Sequence, residues 1–479
     1  MTKKHADERI QSGVRNLDEI LNGGIPSGSL IVLAGTPGAG KTILSQQIVF
    51  RNASPEKKVL IFQTLSEPTA KTLRYIKQFG YFDPKLVEEE NVQFVDLGGI
   101  MRSAGLEKAV ALLMENIKRV NPAFVIIDSF KVFEDLARSQ EELRKFSYEV
   151  AVYLMAWECT TFLLGEFNQQ DIETNPLFSI ADGLIRLTVR EESGEQQRFL
   201  QTVKLRGTDH SRDEHPFSIS SSGIEIYAPR VTIRRDPHAD RHHENDGPLR
   251  AKTGISKLDI LLGEGIPYGS SVMVSGVAGT GKTIFSLEFI YRGAKEFGEK
   301  GIFISFEETE ARLKADAKSM GWDLEGEIKR GKIELICIPQ TDILIEKHLL
   351  MIRERMEQLG AKRVAVDSIS LFLYKVRDER IAREKLFQLA TLVQKGQAVG
   401  FFTTDIPYGS NQISRFGVEE TTVDGVILLS ASEKGCDRER YLEVYKLRNT
   451  AHLSGRHKMS IGHGGVTIEP NGASGGGSR

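Results

Sequence analysis

Two stretches of the chain carry the residue types that a phosphate chain needs. Gly35-Thr36-Pro37-Gly38-Ala39-Gly40-Lys41-Thr42 and Gly276-Val277-Ala278-Gly279-Thr280-Gly281-Lys282-Thr283 both fit GxxxxGK[ST]. Each follows an apolar run and precedes a helix-like segment such as ILSQQIVFRNA. That context separates a phosphate loop from a glycine-rich turn with an incidental Lys-Thr. The glycines let backbone N–H groups curl around phosphate oxygens at a helix N-terminus, the lysine neutralises the β- and γ-phosphates, and the threonine hydroxyl can ligate Mg2+. The expected ligand pair is ATP with Mg2+.

Such a site also wants a carboxylate at the end of a neighbouring strand, to hold the metal with Thr42 or Thr283. Asp128 in AFVIIDS and Asp367 in RVAVDS occupy such ends. An Asp there could equally cap a helix, but two phosphate loops favour the metal role. After the second loop, SFEETE sets Glu307 and Glu308 beside the expected γ-phosphate, where one carboxylate can take the proton of an attacking hydroxyl. The matching segment of the first half reads TLSEP, so Ser66 replaces one carboxylate and Glu67 remains. The two sites are therefore chemically unequal. KLRGTDH and KLRNTAH add Lys204, Arg206, His210, Lys446, Arg448 and His452. Lys and Arg two positions apart face the same way from a strand and can reach one anion. They lie far in sequence from their own loops, and in ring ATPases such a pair commonly serves a neighbouring subunit's phosphate in trans. A solvated basic strand edge is the plain alternative.

These residues belong to an internal repeat. The segments from Gly13 to Thr42 and from Gly254 to Thr283 are similar, and subtracting 41 from 282 gives 241. The same difference relates Leu17 to Leu258, Asp18 to Asp259, Pro26 to Pro267 and Glu67 to Glu308, and it is taken as constant. So long a period signals duplicated domains. Within each copy, apolar strands alternate with amphipathic stretches and end in several β-type runs. The fold class expected is α/β, each copy a mostly parallel sheet buried on both faces by helices, with antiparallel strands added at one edge. Expected bounds are 1–233 for the first domain, 234–250 for a charged connector, 251–470 for the second domain and 471–479 for a flexible tail. His238, His242 and His243 in the connector lack the Cys or carboxylate spacing of a metal site.

Composition narrows the function classes. Of the 479 residues, 40% are hydrophobic, which excludes a disordered chain. Lys plus Arg total 63 against 65 for Asp plus Glu, so no global cationic field exists to hold nucleic acid, and a recombinase or helicase-like motor is the weaker reading. Cys159, Cys337 and Cys436 have neither disulfide-framework nor zinc spacing. The polar start MTKKHADERIQSG and the lack of a long apolar run lead to the expectation of a cytoplasmic protein without a membrane partner.

With these residues assembled, the sequence resembles the RecA-like ATPases, and among them the KaiC family of circadian clock proteins. The resemblance covers both copies: the lead-in G-[IV]-x-x-L-D-x-[IL]-L-x-x-G-[IL]-P-x-G, both phosphate loops, Phe306 to Glu308, the Asp-Ser strand ends, and the KLRG and KLRN strands. It implies two tandem RecA-like P-loop ATPase domains and a homohexamer of two stacked rings with nucleotide at the subunit interfaces. It further implies slow ATP hydrolysis in the N-terminal ring, autokinase and autophosphatase activity in the C-terminal ring, and a KaiB-like or other signalling protein as partner. The family's adjacent Ser and Thr phosphoacceptors align, on Asp424, with Glu420 and Thr421 of VEETTVDGVILL. One hydroxyl is thus replaced by a carboxylate. Thr421 is the expected acceptor at the start of a strand, with Thr422 able to substitute and with Glu419 and Glu420 placing negative charge beside it. After GVTIEP only NGASGGGSR remains, so the long tail by which clock members engage a partner is expected to be truncated or absent. An autokinase and a nucleotide-gated scaffold would use the same sites, and both stay open.

Overall fold

The computed structural model describes residues 8–64, 69–136, 139–192, 195–227, 249–374, 376, 378–407, 409–410, 412–434 and 437–470. Two compact units divide between residues 228 and 229. Arg250, assigned by composition to the connector, instead pairs with Pro267 in a two-residue ladder of the second unit. No helix among the described residues is long and apolar enough to cross a membrane. His238, His242, His243 and Cys436 lie outside the described residues.

In the first unit the strands are β1 Leu30–Gly35, β2 Val59–Gln63, β3 Val92–Asp96, β4 Phe124–Asp128, β5 Thr160–Gly165, β6 Gly183–Glu192, β7 Glu195–Leu205, β8 Glu214–Ser220 and β9 Gly223–Ile226. They form one sheet in the order β9-β8-β7-β6-β1-β5-β4-β2-β3. From β6 to β3 the neighbours are parallel, and from β6 to β9 antiparallel. The helices that matter below are α1 Lys41–Asn52, α2 Leu106–Val120, α3 Gln140–Ala156 and α4 Pro176–Ile180. The apolar run of β1 explains its central place: Ile31 and Leu33 enter the core on one sheet face, and Leu30, Val32 and Ala34 the core on the other. A strand buried on both faces has no polar alternation to offer.

The second unit repeats this plan with β10 Ser271–Gly276, β11 Gly301–Ser305, β12 Ile333–Cys337, β13 Arg363–Asp367, β14 Val399–Asp405, β15 Gly425–Lys434, β16 Asp437–Leu447, β17 Arg456–Gly462 and β18 Gly465–Glu469. Their order is β12-β11-β13-β14-β10-β15-β16-β17-β18. Its helices include α5 Lys282–Glu296, α6 Glu310–Ser319, α7 Ile345–Leu359, α8 Glu379–Lys395 and α9 Glu419–Thr422.

Strand pairing corrects the constant repeat difference. Gln63 lies opposite Asp128, and Ser305 opposite Asp367. Gln63 and Ser305 therefore correspond, and subtracting 63 from 305 gives 242. The difference between Asp128 and Asp367 is 239, which also relates α2 to α7, α3 to α8 and β5 to β14, whereas β6 and β15 return to 242. Chain added or lost in the loops leaves each strand's register intact, because slipping a buried strand by one residue would turn its apolar face outward.

Candidate functional site

Each phosphate loop connects the C-terminal end of the central strand, β1 or β10, to a helix whose N-terminus faces the strand end. Gly40 and Gly281 both take φ 101°, a left-handed conformation that glycine adopts at no steric cost. A Cβ at Gly40 would also stand 3.0 Å from Ile219 Cδ1, and one at Gly281 would collide with Ile461, so the terminal hairpin of each unit leans on the last glycine of its loop. Lys41 donates to the carbonyls of Gly35 and Thr36, both at 2.9 Å. Lys282 does the same to Gly276 and Val277, at 3.0 and 3.3 Å. Ala39 is buried, so it offers only its backbone. Thr280 turns its hydroxyl inward to the Val277 carbonyl. Arg440 from β16 reaches towards the Gly279 carbonyl at 3.4 Å. Pro37, Gly38, Gly40, Lys41 and Thr42 line a cavity of about 470 Å³ with Asp128 and Glu166.

The expected carboxylates gather at the same strand ends. The Thr42 hydroxyl donates to Asp128 Oδ2 at 2.7 Å. Asp367 is buried at 1% exposure and its Oδ1 accepts from the Thr403 hydroxyl. Its Oδ2 has no partner in hydrogen-bond geometry among the described residues. Burial pushes this carboxyl above the usual carboxylate range, against the Thr403 and Thr283 hydroxyls, which favour its charged form. The peptide bonds following Asp128 and Asp367 are both cis. Glu307 and Glu308, grouped together by sequence, have different surroundings. Burial first, then the charges of Asp367 and Asp405, raise the Glu307 carboxyl. Glu308 is instead paired with Arg312 at 3.2 Å, one turn along at the start of α6. Ser66 and Glu67 lie outside the described residues.

One acidic position escaped the sequence reading. Asp405 ends β14 and forms an ion pair with Lys282 at 2.8 Å. Glu166, directly after β5, takes the corresponding place, and its charge with that of Asp128 opposes the burial that lowers the Lys41 ammonium. The signal was present, since TTFLLGE and GFFTTD end in an acid just as AFVIID does.

The family model for the KaiC ATPase matches this chain twice, over residues 10–231 and 251–473. The chain belongs to the KaiC family. It is 27% identical to the circadian clock oscillator protein KaiC of Picosynechococcus sp., over 96% of this chain and 90% of the relative. It is 25% identical to KaiC 1 and 26% identical to KaiC3 of Synechocystis sp., again over 96% of this chain and over 89% and 92% of those proteins. The two units are thus tandem RecA-like domains of an ATP-binding P-loop ATPase.

The remaining KaiC-like features lie at the other end of each sheet. Thr421 and Thr422 do not begin a strand but sit in α9, and both hydroxyls donate to the Val418 carbonyl, at 2.8 and 2.9 Å. EETT lacks the apolar alternation of a strand and spans one helical turn instead. Thr421 is exposed and Thr422 half-buried. Glu419 is not a free charge beside them: it is fully buried and accepts from the Thr404 hydroxyl and the Phe416 N–H. Glu420 accepts from Ser414 at 2.6 Å. Lys446 donates to the carbonyls of Glu420 and Val423 at the end of α9, and Lys204 to those of Phe178 and Ala181 at the end of α4. These lysines complete helix C-termini, whose carbonyls lack intrahelical donors. The arginines are less committed. Arg206 donates to the Ser179 carbonyl and pairs with Asp182 at 3.5 Å, Arg448 pairs with Asp424 at 3.5 Å, and both side chains are 53% exposed. His210 contacts the Thr208 carbonyl, and His452 Nδ1 has no partner among the described residues.

Asp424 is anchored to Ser271 at the N-terminal end of β10, whereas Gly276 opens the phosphate loop at the other end of that strand. Five steps of a parallel strand separate them by roughly 16 Å.

Proposed function

We propose that this chain is a Mg2+-dependent ATPase whose second domain phosphorylates a threonine of a neighbouring copy, with Thr421 as first acceptor and Thr422 as second. The carrying observation is the division of parts between the two ends of the second sheet. Lys282, Asp367, Asp405 and Glu307 stand at one end, and Thr421, Thr422 and Arg448 at the other. A γ-phosphate on Lys282 is too far from Thr421 of the same domain, since reacting atoms must come within about 3–3.5 Å. Transfer in trans follows, and a ring with nucleotide at subunit boundaries, six copies in the family pattern, brings opposite ends together. In this reading Arg448, rather than the internally bonded Lys446, reaches the neighbour's phosphates.

The residues present fit a magnesium ion. A buried carboxylate oxygen without a hydrogen-bond partner, Asp367 Oδ2, beside the threonine of a phosphate loop, Thr283, is a hard-oxygen pair of the kind the ion takes. Asp128 and Thr42 form the equivalent pair. Bound there, the ion would neutralise charge on the β- and γ-phosphates. Glu307, its carboxyl raised by burial and neighbouring charge, accepts the proton of the incoming threonine hydroxyl. The threonine Oγ–P bond forms as the bond to the β-phosphate oxygen breaks, and ADP leaves.

The first domain we assign to slow hydrolysis and to assembly. Its sequence reads Ser66-Glu67 in TLSEP where the second domain reads Glu307-Glu308, one carboxylate in place of two, which favours a nucleotide held rather than rapidly turned over. Such a ring would present its nucleotide state to a signalling protein, KaiB-like in the family pattern, and a role as scaffold alone is the second reading. The deciding experiment is intact mass after incubation with Mg-ATP. One added phosphate per chain, mapped to Thr421 or Thr422, is expected, and no added mass after long incubation leaves the scaffold.

A further inference from the structure

The second domain carries a basic pocket that its partner domain has filled. Arg353 and Met356 of α7, Ala361 and Lys362 after it, and Leu392 and Lys395 of α8 line a cavity of about 380 Å³ between the C-terminal ends of the two helices. This volume suits a small organic molecule. Three cations face it against one carboxylate, Glu357. Lys362 has a structural task, donating to the Gly396 and Gln397 carbonyls at 3.2 and 3.4 Å. A lysine in the last turn of a helix, as Lys395 is, offsets the helix dipole. Neither task covers Arg353. It lies mid-helix, its Nε is sealed from solvent without a hydrogen-bond partner, and its guanidinium makes no ion pair among the described residues.

The first domain supplies an internal control. With the difference of 239 that holds for these helices, Arg353, Lys362, Leu392, Lys395 and Gly396 correspond to Met114, Ala123, Tyr153, Ala156 and Trp157. There the Tyr153 hydroxyl donates to the Met114 carbonyl at 3.2 Å, and the Tyr153 and Trp157 rings lie 6.1 Å apart. Both pack against the core. In one copy two aromatic rings stand at these positions, Met114, Ala123 and Ala156 replace the three cations, and Lys118 takes the place of Glu357. In the other the rings are a leucine and a glycine, and three cations have arrived with the cavity.

We infer that this pocket binds a small organic anion: a phosphate or carboxylate head held by the Arg353 fork with Lys362 and Lys395 near, and a short apolar body against Met356, Ala361 and Leu392. A guanidinium with free donors matches the paired oxygens of either head. Its lining shares no residue with either phosphate loop.

The test uses the full-length chain with its phosphate loops saturated by Mg-ADP, titrated calorimetrically with phenyl phosphate and, in a parallel arm, with benzoate. At least one is expected to bind with Kd below about 1 mM, and the tighter one names the head group. Arg353→Met, which installs the residue of the other copy, is expected to weaken binding by about tenfold or more. If Arg353→Met unfolds, Leu392→Tyr, which restores the ring found at Tyr153, replaces it as the deciding variant, a melting curve reporting which is folded. Absence of binding in both arms, or binding unchanged in the folded variant, overturns the site.

Discussion

Lys282 and Asp405 face each other at 2.8 Å across the second phosphate loop, so the lysine that must meet ATP already holds a carboxylate. The lysine side chain is only 8% exposed, and its charge is costly to leave unpaired. Binding of ATP exchanges one anion for another. Asp405→Asn removes the competitor, and the affinity of the second domain for ATP is expected to rise by about three- to thirtyfold, on the scale of a partly buried ion pair. Equilibrium titration with a fluorescent nucleotide checks this. A weaker affinity would move Asp405 into the metal-holding set.

Glu307 and Glu308 are separable by substitution. Glu307→Gln is expected to slow phosphoryl transfer by about 10²- to 10⁴-fold, the range of a lost general base. Glu308→Gln frees Arg312 at an exposed pair and is expected to change the rate by less than about threefold. The pH profile carries the same assignment. As the proposed base Glu307 works as the carboxylate, and its pKa is raised, so activity is expected to fall as pH drops and to do so above the usual carboxylate range. Single-turnover rates between pH 5 and pH 8 measure this, and an acid limb within the ordinary glutamate range would remove Glu307 as the base.

Complementation probes the trans arrangement. Arg448→Ala and Lys282→Ala chains are each expected to be deficient alone, and their mixture to recover phosphorylation or hydrolysis, because a wild-type Arg448 then meets an intact loop at some boundaries. Mixtures that exchange subunits and stay as inactive as the separate variants would sink the trans role.

Glu288 distinguishes the domains by pH. It is fully buried on α5, accepts from the Val466 N–H at 2.7 Å and from Arg292 at 3.2 Å, and burial pushes it up to about 7. Gln47 takes its place in the first domain, accepting from the Ile224 N–H at 2.6 Å. With the folded value above the unfolded one of about 4.3, the folded state binds a proton that the unfolded state releases. Stability therefore falls as pH rises through the window from there to about 7, and is least above it. Glu288→Gln is expected to stabilise the second domain at pH 8 by on the order of 1–3 kcal/mol and to have little effect near pH 5. Thermal melts at the two pH values decide it.

Much of this was legible in the residues. The phosphate loops, the apolar strands and the terminal aspartates of β4 and β13 are encoded locally, by glycine spacing and by runs buried on both faces. Asp405 and Glu166 were equally local and needed only the same reading of the next strand. What stayed hidden depends on distant pairing. The match of Gln63 with Ser305 is fixed by the strands opposite, so counting along one chain could not show that loops had gained and lost residues. The lysine of KLR meets helix carbonyls roughly 25 residues away in sequence, a contact that no spacing rule announces. Glu419 reads as a surface charge in VEETT and becomes a core ligand only once Thr404 and the 416–418 backbone close around it.

On the proposed transfer in trans, the central strand β10 separates the nucleotide loop from Thr421 and Thr422 by a fixed length, and abundance becomes an input to the chemistry. In that reading, below the concentration at which copies meet, every loaded loop lacks an acceptor and every acceptor lacks a donor. Output per molecule then climbs with dose before reaching a plateau, so a cell could tune this protein through its expression level as well as through its ATP.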